Sequence, residues 1–173
     1  MAISAFIVKV PSAEPLAGPL RERFDATSAL GVPAHITVLI PFMDPRDITP
    51  DVLQRAQQAL DRTAAFSFRL SSVGRFPAVA YLAPEPAAPF IALTQALAGT
   101  FADYPPYAGA HAGIVPHLTV AHGTDAEADE AALALQAALD KDGPVTAHCG
   151  SVSLIENSSG RWNELHVFHL PQG

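Results

Sequence analysis

Residues 33–38 read Pro-Ala-His-Ile-Thr-Val, and residues 115–120 read Val-Pro-His-Leu-Thr-Val. In each stretch a histidine and a threonine stand two positions apart within an apolar, β-branched run, a pattern typical of a β-strand. Successive side chains of a strand point to opposite faces, so the histidine and threonine of each pair share one face. An imidazole beside a hydroxyl can serve as half of an acid–base site. Two such pairs predict a general base, a general acid and two hydroxyl donors around one reacting group.

The segments around the two motifs follow one another in the same order. A short strand and a helix precede each motif, and the apolar residues of that helix recur four positions apart: Leu16, Leu20 and Phe24 in the first case, Leu93, Leu97 and Phe101 in the second. A helix follows each motif and begins at a capping threonine, Thr49 or Thr124. The chain is therefore predicted to be an approximate repeat with halves 1–77 and 78–173.

Two similar lobes that face each other across a pseudo-twofold axis would bring both motifs to one cleft. The chain has 173 residues, of which 49% are apolar, enough for one sizeable core. We therefore predict a single bilobal domain over residues 1–173. Its fold class is α+β, with two pseudo-symmetric lobes of mostly antiparallel sheet, helices on the outer faces and a central cleft.

The charge balance and the cysteine content limit the classes of partner. Ten Lys and Arg against seventeen Asp and Glu give a net charge of −7, which disfavours sequence-independent binding of long nucleic acid and allows a small nucleotide or an RNA end. The single Cys149 has no partner for a disulfide, which favours a reducing, cytoplasmic setting. We expect no targeting segment and no membrane partner, since no apolar run approaches about 20 residues. The sequence is silent on oligomeric state.

Four further residues are candidates for substrate contacts. Lys9 is a lone charge in an apolar strand and is predicted to face the cleft, with a solvated edge as the alternative. Phe42 follows the first motif and is either a stacking platform or a core residue. Tyr107 and His111 lie in the loop before the second motif, where Tyr107 could stack on a base and His111 could touch a ligand. The alternative for both is a solvated surface position.

Seven histidines raise the alternative of a metal hydrolase. No spacing typical of metal ligands supports it. The nearest pair is His117 and His122, and strand alternation places His122 on the face opposite His117 unless a β-bulge intervenes. We therefore expect neither a metal nor another cofactor.

The motifs His35-Ile36-Thr37-Val38 and His117-Leu118-Thr119-Val120 resemble the paired His-x-Thr/Ser motifs of the two-histidine phosphoesterase superfamily. That superfamily includes the bacterial RNA 2′,3′-cyclic phosphodiesterases, also named 2′-5′ RNA ligases. The similarity covers nearly the whole chain, and Gly160-Arg161-Trp162 also resembles the family's closing strand. A difference follows the first motif, where this chain has Ile40-Pro41-Phe42 and family members often have Leu-Gly.

The resemblance implies a metal-independent phosphodiesterase that hydrolyses 2′,3′-cyclic or 2′-5′ phosphodiester bonds in nucleotides or RNA ends. It implies that His35 and His117 act as base and acid, in an order that the pseudo-symmetry leaves open, and that Thr37 and Thr119 donate hydrogen bonds to the non-bridging phosphate oxygens. The acidic balance disfavours the reverse reaction, RNA ligation. The alternative from another class is a nucleotide- or RNA-end-binding module of the same fold with little turnover.

Overall fold

The computed structural model describes residues 1–173 and contains two four-stranded antiparallel sheets with helices against them. The strands are β1 (Ser4–Lys9), β2 (His35–Phe42), β3 (Phe66–Phe76), β4 (Val79–Glu85), β5 (Leu118–His122), β6 (Val145–Cys149), β7 (Ser151–Glu156) and β8 (Asn163–His169). The helices are α1 (Glu14–Phe24), α2 (Ala26–Ala29), α3 (Pro50–Leu60), α4 (Ala88–Thr100) and α5 (Asp125–Asp142). The predicted α+β class with two lobes is confirmed. None of the helices combines the length and the apolar character that a bilayer crossing requires.

The two sheets do not coincide with the two halves of the sequence. The first sheet has the strand order β2-β1-β7-β8, and the second has the order β5-β4-β3-β6. Strand β3 therefore leaves its own half to join the second sheet, and the last two strands of the chain complete the first. The helices are exchanged as well, because α1 contacts β5 and α4 contacts β2. Each lobe thus depends on both halves of the chain.

The main core lies between the sheets and their helices, in one continuous cluster of buried apolar residues. The predicted apolar stripe of α4 is buried there, together with the residue that ends the helix: Leu93, Leu97 and Phe101. The two threonines predicted to cap helices do so in the structure. The Thr49 hydroxyl accepts a hydrogen bond from the Val52 amide at 3.3 Å, and the Thr124 hydroxyl accepts one from the Glu127 amide at 3.1 Å. Satisfied helix ends fix where α3 and α5 begin after the motif strands.

Helix α1 buries only part of the predicted stripe: Phe24 is buried, and Ala17 and Arg21 beside the stripe are the other buried residues. Two of the predicted residues are only partly buried: Leu16 and Leu20. Arg21 is instead 1% exposed. Its Nε donates to the Asp25 carboxylate at 3.2 Å, and a terminal nitrogen donates to the Val32 carbonyl at 2.9 Å. A buried charge is tolerated only when it is paired and hydrogen-bonded, and these partners fix the segment that leads into β2.

Candidate active site

The two motif strands, β2 and β5, contact each other where the lobes meet. In β2, His35 and Thr37 are half-buried while Ile36 is fully buried in the core. In the second motif Leu118 is fully buried in the same way. We call the face of each sheet opposite its helices the cleft face. The strand alternation predicted from the sequence therefore places each histidine and its threonine together on a cleft face.

Both histidines are held by the same local hydrogen bond. His35 Nδ1 lies 2.7 Å from the Pro33 carbonyl oxygen, and His117 Nδ1 lies 2.6 Å from the Val115 carbonyl oxygen. A carbonyl oxygen only accepts, so Nδ1 must carry the proton in each ring. The remaining nitrogen, Nε2, has a free lone pair in the neutral ring. Each motif therefore presents one nitrogen that can accept or deliver a proton.

Both imidazoles are harder to protonate than a histidine in water. Burial lowers the pKa of His35 to about 4, with a smaller lowering from the Arg21 guanidinium, while the hydrogen bond to Pro33 opposes the shift. His117 contributes a further, smaller lowering of the pKa of His35. Burial lowers the pKa of His117 below its usual 6.5, against the opposing hydrogen bond to Val115. Both rings are thus mainly neutral at pH 7 before a ligand binds.

A β-bulge follows the threonine in each motif. Thr37 pairs with Ile7 and Leu39 pairs with Phe6, so Val38 between them has no partner on β1. Val120 on β5 likewise has no partner on β4, because Thr119 pairs with Tyr81 and Ala121 pairs with Ala80. The duplication of the motif therefore extends to the bulge at its fourth residue. A bulge bends the strand and re-aims the side chains that follow it.

The second bulge changes the position expected for His122. Plain alternation places this residue on the face opposite Thr119, but the extra residue at Val120 shifts the alternation by one. His122 pairs with Val79, two positions from Tyr81 along β4, and is exposed. It therefore lies on the cleft face, and the sequence-based placement was wrong.

An aromatic platform that the sequence analysis missed lies beside His117. The rings of Tyr81 and Phe76 stack with centroids 4.5 Å apart, and they lie 5.3 Å and 5.2 Å from the His117 ring. Gly74, the cross-strand partner of Tyr81, makes room for the phenol ring. A Cβ atom at Gly74 would stand 2.2 Å from Tyr81 Cζ. This glycine is thus needed for the close approach of the ring rather than for a turn.

Lys9 lies where the sequence predicted, on the cleft face next to His35. The two residues are cross-strand partners in the β1–β2 ladder. The Lys9 ammonium is ion-paired with the Glu164 carboxylate, which also accepts a hydrogen bond from the Ser153 hydroxyl at 3.0 Å. The lysine contact lowers the pKa of Glu164. A phosphate that reached Lys9 would have to compete with this carboxylate.

Phe42 is a core residue and not a stacking platform. Its side chain is 2% exposed. Its ring lies 4.8 Å from Phe6 and 5.0 Å from Phe101, in an aromatic cluster on the helix side of the first sheet. An aromatic ring gains more from burial in such a cluster than from exposure at the cleft. The structure therefore removes Phe42 from the candidate substrate contacts.

The loop residues Tyr107 and His111 lie together, and the turn that contains Tyr107, Pro106–Gly109, contacts the motif strand β2. Their rings are 5.2 Å apart. His111 is exposed and lines a cavity of about 430 Å³ formed with Gln95 and Gly99 of α4. Tyr107 is half-buried and adopts φ of 53°, and burial raises its pKa. Contact of either residue with a substrate remains a prediction.

The position of Cys149 disfavours thiol chemistry. This cysteine is buried, and burial raises the pKa of its thiol to about 12, so the thiolate required of a nucleophile is not available at neutral pH. The structure contains no group of three or more His, Cys, Asp or Glu side chains placed to hold a metal ion. Neither a thiolate nor a cluster of metal ligands therefore accompanies the paired histidines and threonines.

Comparisons with known proteins agree with this geometry. Crystal structures of E. coli LigT complexed with 3′-AMP, of TT0787 from Thermus thermophilus and of a phosphoesterase share the fold, with TM-scores of 0.63, 0.60 and 0.56. Their identities are 15%, 18% and 17%, over 98%, 98% and 99% of this chain and 98%, 98% and 100% of theirs. A search of curated proteins found no significant match. The family model described as the 2′-5′ RNA ligase superfamily matches residues 9–161, which confirms the resemblance inferred from the two motifs. This chain belongs to the 2′-5′ RNA ligase superfamily.

Proposed function

We propose that the protein is a metal-independent phosphodiesterase that hydrolyses 2′,3′-cyclic or 2′-5′ phosphodiester bonds in nucleotides or RNA ends. One observation carries this proposal: His35 and His117 have the same Nδ1 contact and the same free Nε2, on strands that contact each other. Membership of the superfamily supports a general phosphoesterase function. Crystal structures of E. coli LigT are complexed with 3′-AMP, NADP⁺ and ATP, which supports a nucleotide as the ligand of this cleft.

The two imidazoles divide the proton transfers of hydrolysis. One neutral ring takes a proton at Nε2 from the water that attacks phosphorus, while the protonated ring gives its proton to the ribose oxygen that leaves. An oxygen–phosphorus bond forms on one side, and the bond from phosphorus to the ribose oxygen breaks on the other. Thr37 and Thr119 donate hydrogen bonds to the non-bridging oxygens, where negative charge builds up. The anionic substrate favours protonation of one ring and so assembles the active form of the pair.

The aromatic platform of Tyr81 and Phe76 suits the base of the same nucleotide. It lies directly against His117, so a base stacked on it would hold the attached phosphate near the reacting nitrogen. Stacking on an aromatic side chain contributes about 1–3 kcal/mol per base and tolerates every base. The protein therefore needs few charged contacts to hold a nucleotide, in agreement with its acidic composition.

The direct test is a panel of 2′,3′-cyclic nucleotides, 2′-5′ dinucleotides and RNA ending in a cyclic phosphate, each assayed with excess EDTA. We expect turnover of at least one of them, with the phosphomonoester product identified by ³¹P NMR. Loss of activity in EDTA that returns with a divalent cation would contradict the metal-independent mechanism. Tight binding of the panel without turnover would instead indicate a nucleotide-binding module.

The pH dependence of kcat/KM should have its maximum on the acid side of neutrality. The active pair carries one proton, so kcat/KM rises through the lower pKa of the free enzyme and falls through the upper one. The lower value is about 4, from His35, and the upper one lies below 6.5, from His117. The kcat profile should extend to higher pH, because the bound anion raises the imidazole pKa values. A kcat/KM that is constant from pH 6 to 9 would contradict this account.

Replacement of Gly74 with alanine should disable the site while the fold survives. The added Cβ forces the Tyr81 ring away from its place against His117. Displacement of a positioning group by about 1 Å costs roughly 100-fold in rate, and we expect a loss of kcat/KM of about 10- to 100-fold. Gly99→Ala on α4 is the matched control, because nothing lies within 4 Å of the Cβ that it adds. Equal losses in both variants, or in neither, would show that the Tyr81 ring does not position the site.

A further inference from the structure

We propose that the cleft face of the second sheet carries, on the side of His117 that is opposite to Phe76, a groove for the upstream part of an oligonucleotide, with Arg69 as its phosphate contact. This inference rests on the proposed function and makes it more specific. The preferred substrate is then the end of an RNA chain rather than a free mononucleotide. The motifs and the platform do not by themselves require an oligonucleotide, because a single nucleotide is large enough to contact both.

The groove lies on the same face of the sheet as the catalytic pair. Glu85 stands four residues from Tyr81 along β4, so the two side chains share the cleft face. In the adjacent ladders Arg69 pairs with Glu85 and Thr146, which brings β3 and β6 into the same surface. Ser67 and His148 form the next pair on that face.

These residues line an open surface hollow of about 720 Å³, whose polar lining comes from Ser67, Arg69, Glu85, Thr146 and His148. The ladder places His117 opposite position 83 of β4, next to the Leu82–Leu118 pair. Arg69 is two strands and about two residues farther on. At ~4.8 Å between strands and ~3.3 Å per residue, its Cα atom lies about 12 Å from that of His117. A chain of a few nucleotides spans this distance.

Arg69 is one of the few cations of the protein whose side chain makes neither an ion pair nor a hydrogen bond. Five of the ten Lys and Arg side chains are in ion pairs, and two more donate to backbone carbonyl groups. The three that remain are Arg62, Arg69 and Lys141. Arg69 lines the surface hollow on the cleft face, and Arg62 and Lys141 do not. A free guanidinium in an acidic protein is placed to bind an anion, and a phosphodiester matches its fork of donors.

The first sheet offers no comparable path. Its cleft face carries a second apolar cluster, Ala5, Ile7, Val32 and Ile155, against which Ile40 and Trp162 pack. All four cluster members are at most 5% exposed, because the segment before β2 and the turn before β8 cover them. The polar groups that the first sheet presents next to His35, namely Lys9 and Glu164, are already ion-paired with each other, whereas Arg69 on the second sheet is in no ion pair. An RNA chain with its terminal phosphate at the histidines would leave the site in this direction.

The remaining polar groups allow weak, phosphate-directed binding. The Ser67 hydroxyl and His148 Nδ1 are 3.1 Å apart and already contact each other. The Glu85 carboxylate accepts a hydrogen bond from Ser71 at 3.3 Å and opposes an anion in the groove. The Glu85 carboxylate offsets part of the attraction between Arg69 and a phosphate, so the expected preference for an oligonucleotide is modest. Charge changes at Arg69 and Glu85 should therefore have effects of opposite sign.

The test compares kcat/KM for an RNA of about six nucleotides that ends in a 2′,3′-cyclic phosphate with kcat/KM for the matching cyclic mononucleotide. The wild type should prefer the oligonucleotide. Arg69→Gln should lower this preference about fivefold, the upper end of what an exposed charge pair contributes, while Glu85→Gln should raise it. Arg62→Gln removes another unpaired arginine away from the groove and should leave the ratio as in the wild type. A wild type without preference, or an Arg69→Gln ratio equal to that of Arg62→Gln, would overturn the proposal.

A second measurement does not depend on turnover. The affinity for a fluorescent hexanucleotide that ends in a 2′-phosphate is followed by anisotropy over a range of salt concentrations. Arg69→Gln should weaken binding and lower the slope of log K against log salt by about 0.7, the value for one phosphate contact in a single strand. Absence of turnover with this difference intact would reject the phosphodiesterase and keep the groove. Turnover without this difference would reject the groove and keep the phosphodiesterase.

Discussion

Replacement of either His35 or His117 with asparagine is expected to lower kcat/KM for the phosphodiester substrate by about 100-fold or more. Each variant removes one Nε2 atom and leaves the other imidazole in place. Either the attack of water or the departure of the ribose oxygen then lacks its proton transfer, while substrate binding persists. Asparagine has nearly the size of the ring and preserves the local packing. The measurement is kcat and KM for each variant at several pH values, since loss of one imidazole should also remove one limb of the pH profile.

The control is His169→Asn, which removes an exposed imidazole outside the motifs at the end of β8. We expect kcat/KM of this variant to match the wild type within about twofold. If one motif variant keeps wild-type activity while the other loses it, catalysis depends on a single histidine. That outcome would contradict the two-imidazole mechanism.

Asp25→Asn is expected to destabilise the protein by about 3–5 kcal/mol, because Arg21 then carries a buried charge without a counter-charge. Both side chains of this pair are at most 5% exposed. For a domain of this size the loss corresponds to a Tm lower by about 6–20 °C. Asparagine keeps the oxygen that accepts from the Thr27 amide at the start of α2, so the loss reports the charge and not the cap. Thermal and urea unfolding provide the measurement.

The matched control is Glu130→Gln, which breaks the exposed pair between Arg23 and Glu130. Their side chains are 60% and 58% exposed, so the expected loss is at most about 1 kcal/mol. Similar losses in both variants would mean that the buried pair does not hold the segment before β2. We further expect Asp25→Asn to reduce activity below the melting transition, since this segment positions His35.

Much of the fold was predictable from local patterns. The two His-x-Thr runs alternate as strands do, and the threonine caps and the leucine spacing of α4 mark helices whose ends and buried faces agree with the structure. These signals depend only on residues near one another in the chain. The pairing of the two motifs also followed from the sequence, because a repeated pattern with equivalent flanking elements predicts equivalent positions in two lobes.

The features that were not predicted depend on partners distant in sequence. Arg21 looks like a surface residue of α1 until the fold brings the Val32 carbonyl to it. The bulges at Val38 and Val120 are properties of strand pairing, and a single strand carries no sign of them. Gly74 alone suggests a turn, and its reason becomes visible only when Tyr81 lies across it. The aromatic platform was missed for the same reason.

The most direct measurement follows the imidazole nitrogens of His35 and His117 by long-range ¹H–¹⁵N NMR while a nucleoside 2′-phosphate is added. If both rings contact one phosphate, their Nε2 signals should shift with the same ligand concentration dependence. Both imidazole pKa values should rise together from their lowered values in the free protein. The exposed His169 should not respond. Ligand binding that shifts only one of the two rings, or neither, would contradict the shared site.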